Sequence, residues 1–117
     1  MAGPRDLIAW QKAMDFAVNC YPLVRALRRG RHYELATQLL KASVSIPLNI
    51  SEGQGRGTDK DFARFLDMAT GSLRECETLI IFCERVGLVK RASATRLLEQ
   101  SDEVGRVLFG LLRSKRR

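Results

Sequence analysis

The sequence has few of the residues that break helices: 117 residues contain three prolines and nine glycines. Few turns are therefore available, which favours a small number of long helices over many short strands. Aromatic residues make up 7% of the chain, too few for a platform on which successive bases of a single strand stack. The sequence has no apolar run of about 18 residues, the length that a membrane span needs. The opening MAGPRDLIAW is not expected to be a signal peptide, because Asp6 interrupts its apolar residues.

Histidine is nearly absent, since His32 is the single one in the sequence. The paired Glu-x-x-His motifs of a di-iron bundle need two histidines, and a Ser-His-Asp triad is not expected because His32 falls in a predicted loop. We therefore predict no catalytic residues, no metal site and no cofactor, and we expect that the protein is not an enzyme. The cysteines, Cys20, Cys76 and Cys83, are odd in number and lack paired spacing, which favours a reducing compartment, the cytoplasm. We interpret all three as small core residues.

Apolar residues recur at helical spacing in four segments, about 6–28, 33–52, 58–86 and 90–113. Asp6 and Thr58 are the expected N-caps of the first and third helices, and Gly30 and Gly87 are expected to end them. No strand alternation competes with this pattern. The sequence therefore predicts an all-α fold with one domain over residues 1–117, an up-down-up-down antiparallel four-helix bundle.

Positive charge is concentrated in two segments, although the net charge is only +7. Residues 25–31 contain four arginines and no acid, and residues 106–117 contain five lysines or arginines and no acid. In an up-down bundle these segments lie at opposite ends, and the first is joined by Arg85, Lys90 and Arg91. The pattern allows either helix-end electrostatics with solubility or an anion-binding surface. The residues expected to contact nucleic acid are Arg25, Arg28, Arg29, Arg31, Lys115, Arg116 and Arg117.

The stretch SIPLNISEGQGRG, residues 45–57, places Pro47 inside a helical pattern. Proline removes one backbone donor and crowds the carbonyl four residues earlier, here that of Ser43. Serine and asparagine side chains nearby could satisfy that carbonyl, so we interpret the stretch as a kinked helix end. It is not a phosphate-cradling loop, because its glycines follow a helix and the lysine-serine pair is missing.

Four stretches of the chain resemble the four-helix-bundle family of 23S ribosomal RNA intervening-sequence proteins: DLIAWQKAMDFA, SVSIPLNISEGQGRG, FARFLDMATGSLRECETLI and ERVGLV. The resemblance runs from about Asp6 to Leu112. Its most specific motif spans 45–56, and the second comprises residues 71–73 with Glu75, Glu77 and Thr78. The sequence departs from its relatives at Gln54, where an aromatic residue is frequent, and at Cys76, where leucine is usual.

The resemblance implies a cytoplasmic bundle that assembles into a ring, most often a homopentamer. Members are encoded within intervening sequences of ribosomal RNA genes or elsewhere in bacterial genomes, so the family name describes location and not activity. A related branch comprises accessory proteins of diversity-generating retroelements, which are basic pentameric barrels that bind nucleic acid and a reverse transcriptase.

Structural or interface roles follow from this resemblance for the motif residues: Ser45, Pro47, Asn49, Glu52, Gly53, Gly55, Arg56, Gly71, Ser72, Glu75 and Glu77. The small ones would permit close contact between helices, either inside a protomer or across an interface. The polar ones would form a network, and Glu52 is expected to pair with an arginine, Arg56 of the same chain or one from a neighbour. Of Glu75 and Glu77, one is expected to be paired and the other solvated or in contact with another subunit.

Two functions remain open at this stage. The first is a non-enzymatic homo-oligomer that binds RNA or DNA through phosphate contacts, with weak sequence specificity and a steep salt dependence. The alternative is a protein-protein adaptor, for example an accessory subunit of a reverse transcriptase. No membrane partner is expected.

Overall fold

The computed structural model describes residues 4–116, with side chains from Asp6 onward. Four α-helices follow one another along the chain: α1 (Pro4–Arg29), α2 (Tyr33–Gln54), α3 (Asp59–Arg85) and α4 (Arg91–Lys115). Each helix packs against its neighbours in the cyclic order α1–α2–α3–α4–α1, and the described part measures 44 × 22 × 17 Å. This is the predicted antiparallel four-helix bundle. None of the described helices has the length and apolar character that crossing a bilayer requires.

The core forms because each helix buries one stripe of apolar side chains. Phe16, Leu39, Leu66 and Leu108, one from each helix, are almost completely buried. The three cysteines lie in the same core and are free thiols. Burial raises the pKa of the Cys20 thiol to about 12 and raises the pKa values of the other two above their usual range. At neutral pH all three are protonated, as expected of small core residues.

Two of the predicted helix ends are confirmed in their hydrogen bonding. The Thr58 hydroxyl accepts a hydrogen bond of 3.1 Å from the backbone N–H of Asp61, as an N-cap does. Gly87 has a φ of +82° after the end of α3. The Gly87 N–H donates to the Glu84 carbonyl (3.1 Å), and the Leu88 N–H donates to the Cys83 carbonyl (2.8 Å). These two bonds form a Schellman motif, in which glycine is favoured.

One other predicted end is wrong. Asp6 is not an N-cap, because α1 begins at Pro4 and Asp6 lies in its first turn, only 3% exposed. α1 ends at Arg29, directly before Gly30 as predicted, and the residue with left-handed backbone is the next one, Arg31, with a φ of +64°. The N–H of Arg31 donates to the Arg28 carbonyl (2.9 Å), which together with the bond from the next residue satisfies the last turn of α1.

Both internal prolines lie within continuous helices. Pro22 is in α1, and α2 continues past Pro47 to Gln54 instead of ending at Glu52. The helix end expected within residues 45–57 is confirmed, with Gly55 as the C-cap of α2, and Pro47 is a buried position inside the helix. Gly53 consequently lies in the last turn of the helix.

Candidate nucleic-acid interface

One end of the bundle, which we call the arginine end, is formed by the C termini of α1 and α3 and the N termini of α2 and α4. Its exposed cationic residues are Arg25, Arg28, Arg29, Arg31, Arg85, Lys90 and Arg91. None of them forms an ion pair with an acidic residue in the described part of the chain. The acidic residues at this end are Glu34 and Glu84, so the local balance is strongly positive.

Arg31 occupies an unusual position at the arginine end. A left-handed backbone costs an L-residue about 1–2 kcal/mol that glycine does not lose. The glycine of this turn is the preceding residue, Gly30, but the residue with left-handed backbone is Arg31. Residues held in such conformations concentrate at functional sites.

The opposite end of the bundle also carries cations, and two of them near the C terminus contact acids. The Lys115 ammonium lies 3.9 Å from carboxylate oxygens of both Asp6 and Asp59, and 5.1 Å from the ring centroid of Phe62. Arg116 donates a hydrogen bond to the Asp67 carboxylate. Since a carboxylate competes with a phosphate for the same donors, these cations are less available to an anionic partner.

The seven residues expected to contact nucleic acid therefore fall into two groups. Arg25, Arg28, Arg29 and Arg31 lie together at the arginine end. Lys115 and Arg116 lie at the other end in ion pairs, and Arg117 is outside the described residues. Arg85, Lys90 and Arg91 extend the first group from the turn between α3 and α4. They lie at this end because the bundle topology brings the α3–α4 turn beside the end of α1, and not because they are close to residues 25–31 in the sequence.

The motif around Pro47 links α2 to α3 by polar side chains. Asn49 Nδ2 donates to the Ser45 carbonyl (2.8 Å) and to Ser45 Oγ (2.9 Å). Ser45 Oγ in turn lies 2.9 Å from Ser72 Oγ of α3. Because these groups are half-buried and mutually satisfied, they fix the contact between the two helices within one protomer.

Gly53 is required for the packing of α2 on α3. A Cβ atom at this position would lie 2.7 Å from Cδ1 of Phe62 and 3.0 Å from Cβ of Phe65. Gly71 differs, because a Cβ there would meet no atom within 4 Å among the described residues, and Gly55 would make only ordinary contacts. The small size of Gly53 thus serves the protomer itself, whereas that of Gly71 has no such role in it.

Glu52 pairs with Arg56 of the same chain at 3.4 Å, and both side chains are exposed. Glu77 is half-buried, receives a bond of 2.8 Å from Arg74 and accepts another of 2.8 Å from Ser101 Oγ of α4. Glu77 therefore joins α3 to α4. Glu75 is exposed and has no ion pair within residues 4–116.

No group of three or more histidine, cysteine, aspartate or glutamate side chains in the described chain is placed to hold a metal ion. The fold and the motif contacts define a small all-α bundle with a basic end. Residues 5–110 match the family described as 23S rRNA-intervening sequence protein, and the chain belongs to this family.

A solved structure shares this fold, and no curated protein matches the chain. The structure is of a protein of unknown function from the S23 ribosomal protein family of Bacteroides thetaiotaomicron, with 23% sequence identity. The match covers 93% of this chain and 98% of that one, with a TM-score of 0.87. The likeness at this identity concerns the fold alone, and neither match indicates an enzymatic family.

Proposed function

We propose that the protein is a non-enzymatic homo-oligomer that binds RNA or DNA by contacts of the arginine end with phosphates. The observation that carries this proposal is the exposed, unpaired state of Arg25, Arg28, Arg29 and Arg31 among the described residues. Cations without a protein partner can neutralise phosphates, and the release of counterions from the nucleic acid then drives binding. Binding of this kind is weakly sequence-specific.

Assembly is supported by exposed apolar side chains on one side of the α1–α2 hairpin. We call this surface the apolar strip, and its residues are Leu7, Val18, Tyr21, Tyr33, Val44 and Leu48. On α1, the strip residues are on a different face from Lys12 and Asn19, whose side chains contact α4. On α2, they are on a different face from Ser45, whose side chain contacts α3. A monomer gains nothing from such a surface, whereas a second copy could cover it.

A ring needs a second, different surface to meet the first. The outer side of α3 offers one, where Met68 and Phe82 are exposed and Gly71 leaves open space between them. Glu75 lies on the same side without an ion pair among the described residues. We propose a homopentamer, the size that the family resemblance implies, in which the arginine ends of all copies combine into one basic surface.

We place this function in the cytoplasm, since three free thiols are stable in a reducing compartment. The adaptor function, for example as a subunit bound to a reverse transcriptase, is the second candidate. The apolar strip favours it, because the same surface could receive a different protein.

Fluorescence anisotropy of labelled RNA and DNA across a salt series tests the proposal. The combined variant Arg25→Ala, Arg28→Ala and Arg29→Ala should weaken binding and reduce the log-log salt slope by about 3. The matched control replaces Arg56, Arg74 and Arg106 by alanine, which removes the same charge from arginines that are in ion pairs. Equal losses in both variants would reject the arginine end as the interface. No binding by the wild-type protein at low salt would reject nucleic-acid binding and leave the adaptor.

A further inference from the structure

A groove of about 570 Å³ lies between α1 and α4 beside the arginine end. These two helices pack less closely than the other neighbouring pairs, and Ala26 and Ser93 leave room between them. The walls are largely apolar, with Leu23, Val89 and Leu97 among them. The volume is within the range of about 300–1,000 Å³ that is typical of small-ligand sites.

Two amides in this groove form a pair with free hydrogen-bonding capacity. Asn19 Nδ2 donates to Gln100 Oε1 at 3.1 Å. The pair therefore keeps the Asn19 carbonyl oxygen as an acceptor and the Gln100 amide hydrogens as donors. Nucleobases present a neighbouring donor and acceptor on one edge, and asparagine and glutamine are common partners of such edges.

Two cations line the same groove. Neither Lys90 nor Arg96 forms an ion pair with any described acidic residue. Lysine and arginine bind phosphate, and the planar guanidinium of arginine can also stack on a base. Lys90 belongs to the arginine end, so the groove is continuous with the surface proposed to contact phosphates.

We propose that this groove binds one unpaired nucleotide of an RNA or DNA strand. The base lies between the apolar walls, its edge bonds to the Asn19–Gln100 pair, and its phosphate contacts Lys90 and Arg96. This inference rests on the proposed function, and the same chemistry would also hold a free nucleotide. A base that is paired in a duplex cannot enter the groove, so the protein prefers single strands to duplexes.

A groove-filling variant separates base binding from phosphate binding. Ser93→Leu adds an apolar side chain to the groove and removes no charge. It should weaken binding of a short single strand about tenfold, within the range for stacking of one base, and leave duplex binding and the salt slope unchanged. The matched control is Thr95→Leu, exposed on the same helix and outside the groove, which should change neither affinity.

A second variant, Asn19→Ala with Gln100→Ala, removes the amide pair and keeps the test valid if Ser93→Leu fails to fold. Circular dichroism and the melting temperature establish the folding of each variant. NMR titration of the wild-type protein with AMP, CMP, GMP and UMP identifies the source of the nucleotide. Amide shifts at Asn19, Ser93 and Gln100 that Ser93→Leu abolishes would show free nucleotides in the groove.

The outcomes distinguish the two proposals. Unchanged single-strand affinity in folded groove variants, without nucleotide shifts, would overturn the groove and leave the arginine end intact. Nucleotide shifts without binding of either strand by the wild-type protein would support the groove with a free nucleotide as its ligand and reject the proposed function. Failure of both strands and all four nucleotides would reject both.

Discussion

At the scale of single residues, Gly53 sets how closely α2 approaches α3. We expect Gly53→Ala to lower the free energy of unfolding by about 1–3 kcal/mol, the usual cost of overpacking a core. The new Cβ would lie only 2.7 Å from a carbon of the Phe62 ring. Because this aromatic side chain is buried, it has little room to move away. Urea denaturation at one fixed protein concentration measures the change.

Gly110→Ala is the matched control for this prediction. Gly110 is exposed in α4, and a Cβ there would meet no atom within 4 Å in the described part of the protein. Alanine is favoured over glycine inside a helix by about 0.5–1 kcal/mol, so this variant should be slightly more stable than the wild type. A Gly53→Ala protein as stable as the Gly110→Ala protein would show that the contact with Phe62 does not limit the approach of α2.

At the scale of the helices, the sequence was sufficient wherever the determining interaction is local. Thr58 and Gly87 were predictable because a cap or a left-handed turn depends on neighbouring residues alone. Asp6 was not, because its position is determined by the start of α1 and by Lys115 at the other end of the chain. The sequence also did not predict which residue after α1 has left-handed backbone, because glycine, which favours this conformation, is at position 30 and not at position 31.

The turn between α1 and α2 provides a prediction about Arg31. Arg31→Gly should raise the free energy of unfolding by about 1 kcal/mol, because glycine adopts the left-handed backbone without steric cost. Arg31→Ala removes the same charge and keeps the steric cost, so it should not stabilise the protein. Urea denaturation of both variants at one protein concentration compares them. Equal stability of the two would mean that the backbone at this turn stores no strain.

At the scale of the whole molecule, the fold determines which cations form ion pairs with acidic residues. A basic C-terminal run and a basic run at the end of α1 look alike in the sequence. They differ in the folded chain, because closing the bundle brings Lys115 beside Asp6 and Asp59, and Arg116 beside Asp67. These pairs join residues far apart in sequence, so no local pattern could have shown them. At the arginine end the acids are Glu34 and Glu84, and neither forms an ion pair with a cation in the described part of the chain.

Assembly can be tested at the apolar strip. Leu48 is 62% exposed in the protomer, and we expect Leu48→Glu to convert the proposed oligomer to monomers without loss of helical structure. The new carboxylate is solvated on a free protomer, but burying it unpaired at an interface costs several kcal/mol. Native mass spectrometry measures the assembly, and circular dichroism measures the helix content.

Gln38→Glu is the control for that variant, because it places the same charge on an exposed position of α2 outside the apolar strip. It should assemble like the wild type. A Leu48→Glu protein with the wild-type mass would exclude Leu48 from the contact between copies. If Leu48→Glu dissociates as expected and also binds RNA more weakly, the arginine ends of several copies act together. The reason is that separate protomers present fewer cations to one strand and lose the gain in affinity from multiple contacts.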